Sequence, residues 1–242
     1  MQIGSIKWKK LLYDGAQALE IHVDSDKVDK FTTHAMELAK WNRKMNLTAI
    51  TDPVEVAVKH FLDSMAPDSM IPPNASLLDI GSGGGFPGIP LKILKPSLSV
   101  TLIDASRKKI SFLKHLIRVL GLENIEAFHI RAEEFSKQAV FAGAFNAIIS
   151  RALSSTPEFV QMALPLLDKA GTIIAMKGKP SKTEIESMRS LIHKKTGMGD
   201  ESHTKMELRL KTYTLPYLKL ERSIVSLKCV RGGDIDRFAA RH

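Results

Sequence analysis

Two aspartates and a run of glycines in this chain have the types and spacing to hold a nucleotide-like ligand. In Leu77-Leu78-Asp79-Ile80-Gly81-Ser82-Gly83-Gly84-Gly85-Phe86-Pro87-Gly88 an apolar stretch ends in an acid and runs straight into glycines. The apolar residues suit a buried parallel strand, and Gly81, Gly83 and Gly85 let the backbone turn sharply and approach a ligand closely. Pro87 and Pro90 suit the first turn of a following helix, where a missing amide hydrogen costs nothing. Asp104 closes the next apolar run, Val100 to Ile103, about twenty residues past the glycines, the spacing that places a carboxylate beside a ribose in doubly wound folds. Asp104 could instead cap the helix beginning near Ser106, but Ser106 can serve as that cap itself.

The glycine spacing alone is ambiguous, because Gly83, Gly85 and Gly88 also satisfy the dinucleotide pattern and could face a pyrophosphate. Asp79 separates the two readings. An anion there sits poorly beside a diphosphate and suits a ligand with a cationic amino-acid end, as S-adenosylmethionine has. Further acids and bases follow the later strands, at the edge where open α/β folds bind ligands. Arg131-Ala132-Glu133-Glu134 could meet an adenine, although acids in a first helical turn also favour the helix dipole. Arg151 in Ser150-Arg151-Ala152 stands where a substrate would meet the cofactor; a surface salt bridge is the plainer reading. Arg107, Lys108, Lys109, Lys114 and Arg118 crowd one helix, and Lys177, Lys179 and Lys182 follow a later strand, so phosphates could be held there or these residues could form solvated faces. His60, His115 and His129 lack metal-ligand spacing, and no metal is expected. Neither a Gly-x-Ser-x-Gly elbow nor a lysine-bearing P-loop occurs, so hydrolase and phosphoryl-transfer chemistry lack their parts.

Alternating elements must position these residues. Val28, Phe31, Ala35 and Leu38 recur at helical spacing until Trp41-Asn42-Arg43-Lys44-Met45-Asn46-Leu47-Thr48 ends the pattern in a loop. Asp52-Pro53-Val54-Glu55 has the cap, first-turn proline and acid of a second helix, with Val58, Phe61, Leu62 and Met65 on one face. Pro67 to Ala75 reads as a linker. Beyond it the patterns predict strands at 77–80, 99–104, 125–130, 147–150 and 171–176, with helices at about 88–95, 106–120, 156–169 and 181–195. A polar loop at 197–202 precedes two last strands, 208–215 and 222–230, at the sheet edge. Strands alternating with helices imply an α/β fold with a doubly wound, mostly parallel sheet of seven strands. The expected organisation is an N-terminal helical extension (1–75), a main domain (76–230) and a polar tail (231–242).

Composition sets the outer bounds. A chain of 242 residues with 44% hydrophobic content can bury roughly 70–75% of its unfolded surface, enough for one large domain with an extension. Against 26 Asp and Glu stand 35 Lys and Arg, a net charge of +9, which favours a polyanionic partner such as nucleic acid. Cys229 is the single cysteine, so no intramolecular disulfide forms and a reducing cytoplasm fits. The first twenty residues mix Lys7, Lys9, Lys10, Asp14 and Glu20 among apolar ones, leaving no signal-peptide core, and no membrane segment is expected.

Taken together, Trp41 to Thr48, Asp79-Ile80-Gly81-Ser82-Gly83-Gly84-Gly85-Phe86-Pro87-Gly88-Ile89-Pro90, Arg131-Ala132-Glu133-Glu134-Phe135 and Ile149-Ser150-Arg151-Ala152 closely resemble the RsmG (GidB) family of bacterial ribosomal RNA methyltransferases. The resemblance runs from about residue 28 to 230. It implies a class I (Rossmann-like) methyltransferase that transfers a methyl group from S-adenosylmethionine to ring nitrogen 7 of a guanine in 16S rRNA near the decoding region, acting on the RNA or the 30S subunit. By motif, Gly81, Phe86, Ala132, Glu133 and Arg151 would contact the cofactor, joined by Gly83, Gly85 and Asp104. Asn46 and Thr48 would help form the RNA side of the cleft, with Arg107, Lys108 and Lys177 as further RNA contacts.

Three other functions share parts of this pattern. A small-molecule methyltransferase would need an enclosed apolar pocket instead of a basic mouth. An NAD-dependent oxidoreductase would use Gly83, Gly85 and Gly88, and a non-catalytic RNA-binding protein would keep the fold without turnover. Nothing in the sequence demands more than a monomer.

Overall fold

The computed structural model describes residues 1–151, 155–196 and 204–231. The expected features at Ala152, the 197–202 loop and the tail beyond Arg231 therefore lie outside the described residues. Seven strands form one sheet: β1 Ser76–Ile80, β2 Ser99–Asp104, β3 Ile125–His129, β4 Phe145–Arg151, β5 Leu167–Lys177, β6 Thr204–Leu215 and β7 Leu220–Arg231. Their spatial order is β3-β2-β1-β4-β5-β7-β6. The first five pair in parallel, and the β6–β7 hairpin closes the edge antiparallel to β5. Strand order reverses between β1 and β4, so a crevice opens at their carboxyl ends, the position at which such sheets bind ligands.

Alternation along β1 sends Leu77 to one face and Leu78 and Ile80 to the other, and in β4 Ala147 and Ile149 oppose Ile148. The first face is covered by N-terminal helices. Helix α1, Ile6–Ala18, starts at the Ser5 cap and buries Trp8, Leu12, Gly15 and Ala16; Trp8 Nε1 donates to Pro53 O at 2.8 Å. This helix was not expected from the sequence, although 8, 12, 15 and 16 recur at helical spacing.

Helix α2, Ser25–Met45, begins at Asp24 and ends on Asn46 in the left-handed conformation. It outlasts the expected end at Trp41 because tertiary contacts hold its last turn. Trp41 packs on Phe112 and His115, and Asn42 exchanges two hydrogen bonds with Thr48. The second expected helix, α3, starts as foreseen at Pro53, with Asp52 accepting from the amides of Val54 and Glu55. It then widens into a π-helical stretch, Val56–Leu62, before a last turn, Asp63–Met65.

The remaining α-helices among the described residues are α4 Gly88–Leu94, α5 Arg107–Val119, α6 Ala132–Phe135, α7 Thr156–Ala163 and α8 Lys182–Thr196. Pro87 stands at the N-cap of α4, outside the first turn, while Pro90 lies within it. Gly121, at φ +58°, follows α5 as foreseen. Helix α7 stops at Ala163, short of the expected Lys169, because Pro165 cannot continue an α-helix and the chain tightens into a 3-10 turn, Leu164–Leu166. Strand β5 consequently starts earlier than expected, at Leu167.

Candidate functional site

The glycine loop leaves β1 and is tied back at almost every residue. The amides of Gly81 and Ser82 donate to Ile103 O at 2.9 and 3.1 Å, and those of Gly85 and Phe86 donate to Ser82 O at 2.7 and 2.9 Å. Gly81, Gly83 and Gly85 have φ of +75°, +56° and +90°, values that other residues adopt only under strain. The three differ in what surrounds them. A β-carbon at Gly81 would meet nothing within 4 Å, and at Gly83 only Gly81 O at 3.9 Å; at Gly85 it would strike Ile89 at 2.7 Å. Gly81 and Gly83 thus present open backbone. At Gly85 the side-chain position faces the core, where only glycine permits close packing of the loop on α4.

Asp104 joins the loop to the next strand. It is 7% exposed; Oδ2 accepts from Gly83 N at 3.0 Å and Oδ1 from Ser106 N at 2.8 Å. Ser106 occupies the N-cap position of α5, but its side chain makes no cap bond. The expectation that Ser106 frees Asp104 from capping is therefore corrected. Asp104 holds the helix start and the loop together, and each oxygen keeps a second lone pair for a further donor.

Asp79 is wholly buried. Its Oδ2 accepts from Gly88 N at 2.8 Å, while Oδ1 has no partner. Burial pushes its pKa up to about 7. The acid expected to face a ligand's cationic end instead sits beneath the loop and pins the start of α4.

Phe86 is 4% exposed. Its ring lies between two imidazoles, parallel to His34 at 4.6 Å and to His60 at 4.5 Å between centroids. Its side chain therefore serves the packing beneath the loop, and its backbone is what a ligand could reach. His34 bonds Gly84 O through Nε2 at 2.8 Å, so that nitrogen carries the proton. Burial lowers its pKa to about 4.

His60 links three parts of the site. Nε2 and Thr48 Oγ1 are 2.9 Å apart, and Nδ1 accepts from Arg151 Nη2 at 3.1 Å. Accepting from a guanidinium requires a neutral ring that bears its proton on Nε2. Burial first, and then the positive charge of Arg151, lower its pKa to about 3.

Arg151 ends β4 with its guanidinium 5.1 Å above the Phe86 ring. Nη1 donates to Lys59 O at 2.7 Å and lies 3.4 Å from Asp63 Oδ2. Asp63 also accepts from Tyr213 Oη at 2.6 Å and from Arg222 Nε and Nη2 at 3.1 and 2.9 Å. The surface salt bridge considered for Arg151 is thus replaced by a buried network.

The other expected residues scatter. Ala132 and Glu133 open α6 just after β3, Ala132 half-buried and Glu133 exposed. Arg107 and Lys108 are exposed in the first turn of α5. Asn46 is exposed and ends α2, while Thr48 holds Asn42 and His60. Lys177 is engaged by its neighbours: its ammonium is paired with Glu184 and lies 3.2 Å from Thr156 Oγ1. His115 bonds Glu37 at 2.7 Å and His129 bonds Ala105 O at 3.0 Å.

Four members of the site were not singled out from the sequence: His34, Asp63, Tyr213 and Arg222. The three-residue interval between His60 and Asp63 on a helix was a readable signal. His34 lay hidden between core positions Phe31 and Ala35. Tyr213 and Arg222 reach Asp63 across some 150 residues of chain.

A model of the GidB family, described as rRNA small subunit methyltransferase G, matches residues 27–209. Among curated relatives, the ribosomal RNA small subunit methyltransferase G of Geotalea uraniireducens is 47% identical over 184 residues, 76% of this chain and 83% of its own length. That of Geobacter sp. strain M21 is 42% identical over 217 residues, 90% of this chain and 95% of its own. In fold, the chain resembles an O-methyltransferase from Bacillus cereus in complex with SAH, at a TM-score of 0.57 and 17% identity over 92% of this chain and 98% of that one.

Proposed function

The chain belongs to the GidB family, rRNA small subunit methyltransferase G, and from that membership we propose that it methylates ring nitrogen 7 of a guanine in 16S rRNA near the decoding region. The observation that carries this reading is the family match through residues 27–209, which takes in the glycine loop, Asp104, Ala132, Glu133 and Arg151 together. The enzyme is an S-adenosylmethionine-dependent rRNA methyltransferase. We assign the methyl transfer to residues 76–230 and treat 1–75 as a helical extension that closes one face. No described helix is long and apolar enough to cross a membrane, and the reading places the enzyme in the cytoplasm, as a monomer.

The site suits the methyl donor. The open backbone of Gly81 and Gly83 leaves room for a ligand, and the spare lone pairs of Asp104 suit ribose hydroxyls. Ala132 and Glu133 stand at the same carboxyl edge for the adenine. When bound, S-adenosylmethionine supplies an electrophilic methyl group on a sulfonium. Guanine nitrogen 7 has a free lone pair and no proton, so attack needs no general base and in-line positioning supplies most of the rate. Because the guanine gains positive charge during transfer, a guanidinium against its ring would oppose the reaction. Arg151 is instead held by Lys59 O, His60 and Asp63, where it braces the loop through Phe86.

The test is methyl transfer from labelled S-adenosylmethionine to 16S rRNA and to 30S subunits taken from a strain lacking this gene, with the product mapped by nuclease digestion and mass spectrometry. A single 7-methylguanosine near the decoding region is expected. Cofactor binding without incorporation into either substrate would move the methyl acceptor to a small molecule or make the protein non-catalytic.

A further inference from the structure

Beside Arg151 lies a cavity of about 330 Å³ with no glycine-loop residue in its lining. Ile50, Leu215 and Leu220 give it apolar walls, and Lys59, Arg151 and Arg222 bring positive charge to it. Among the described residues, the carboxylate on that wall is Asp63, 1% exposed in its side chain and close to both guanidiniums, Arg222 at 2.9 Å and Arg151 at 3.4 Å. One carboxylate against two guanidiniums leaves a net positive charge before Lys59 is counted. Lys59 pairs with Glu55 one helical turn away at 2.6 Å, with both side chains about one-third exposed. Such a pair is weak and yields its ammonium readily to a stronger anion. His60, also on the wall, is neutral and adds no charge of its own.

Partly desolvated positive charge without a full counter-charge is unfavourable, and an anion entering the cavity would relieve it. The sheet says which anion. Arg222 is on β7, three places from β1 in the strand order, or about 14 Å at the usual strand spacing. The methyl donor belongs at the β1 loop, so Arg222 stands on the acceptor's side of Arg151. The volume matches a small-ligand pocket, and apolar walls beside cations suit a sugar and its phosphate.

We propose that this cavity is a subsite for a backbone phosphate of the RNA substrate, gripped by Arg222 and Lys59, with Arg151 and Asp63 fixing the geometry behind them. The proposal rests on the RNA methyltransferase reading above.

Arg222→Gln and Lys59→Gln in the full chain test it, through affinity for 16S rRNA measured across a salt series and S-adenosylmethionine affinity measured by calorimetry. Each variant should weaken RNA binding about tenfold and flatten the dependence of log K on log salt by about 0.7–0.9 for each phosphate no longer neutralised. Cofactor affinity should stay within about twofold, and Arg222→Lys, which keeps the charge, should restore most of the salt slope. Unchanged RNA affinity and slope in both glutamine variants would overturn the subsite. Loss of cofactor affinity with RNA binding intact would overturn it too, assigning the cavity to the cofactor's carboxylate. Should Arg222→Gln unfold for want of the Asp63 pair, Lys59→Gln still decides, since Lys59 makes no bond to Asp63. Wild-type protein that neither binds nor methylates the RNA would instead bring down the functional reading itself, before any variant is compared.

Discussion

His60 and Phe86 lie ring on ring, with centroids 4.5 Å apart and planes 9° from parallel. The contact joins α3 to the glycine loop. Because His60 also meets Thr48 and Arg151, one neutral imidazole ties the loop after α2, the end of β4 and the glycine loop into one unit. His34 on the far face of Phe86 completes the stack.

Phe86→Ala should therefore cost about 3–5 kcal/mol of stability, the usual result of emptying a packed aromatic site. Phe86→Leu should recover most of that loss. Thermal or urea unfolding of the two variants measures this directly. Wild-type stability in Phe86→Ala would show that the stack holds nothing.

The loop glycines should separate by role. In Gly81→Ala the new methyl meets no protein atom, so the fold pays only for the left-handed conformation, about 1–2 kcal/mol, while S-adenosylmethionine affinity falls tenfold or more. Gly85→Ala drives a methyl into Ile89 and Leu113 and should lower the melting temperature more than Gly81→Ala does. Calorimetric titration beside thermal melts distinguishes the two, and equal effects on both readouts would contradict the assignment.

Asp104→Ala releases the amides of Gly83 and Ser106 together. Leaving those two amides without their carboxylate should cost about 1–3 kcal/mol, and cofactor KM should rise at least tenfold with little change in RNA affinity. An unaltered KM would remove Asp104 from the cofactor site.

Stability should fall as pH drops from 6.5 towards 4. His34 and His60 are held neutral, with pKa values lowered to about 4 and about 3, so in that window the unfolded chain binds protons that the folded chain does not. Each histidine can contribute on the order of 3 kcal/mol to this loss. Asp79 acts with the opposite sign: its pKa is raised to about 7, so its contribution is full at low pH and fades as pH rises towards 7. Two histidines outweigh one aspartate below pH 6.5. Melting temperatures across this range should flatten in His34→Phe and steepen in Asp79→Asn; a flat wild-type profile would refute the assignment of neutral histidines.

Much of the fold was legible in the sequence because its signals are local. The glycine run after an apolar strand, the acid twenty residues on and the alternation of periods mark β1, β2 and the doubly wound order, each within one or two turns of chain. The cap at Asp52 and the glycine after α5 were read in the same way. Helix α1 and the last turn of α2 were missed: α1 mixes charges into its apolar spacing, and the end of α2 is held by Phe112 and His115, which lie elsewhere in the chain. Within the site, residue types at the strand ends were readable, but their partners were not. Only the tertiary structure decided that Gly85 packs inward, that Asp79 lies under the loop, that Lys177 is taken by Glu184, and that Arg151 shares Asp63 with Arg222 and Tyr213. A buried charge or ring takes whichever partner the packed elements bring within a few ångströms, and that partner's distance along the chain leaves no trace in spacing or composition.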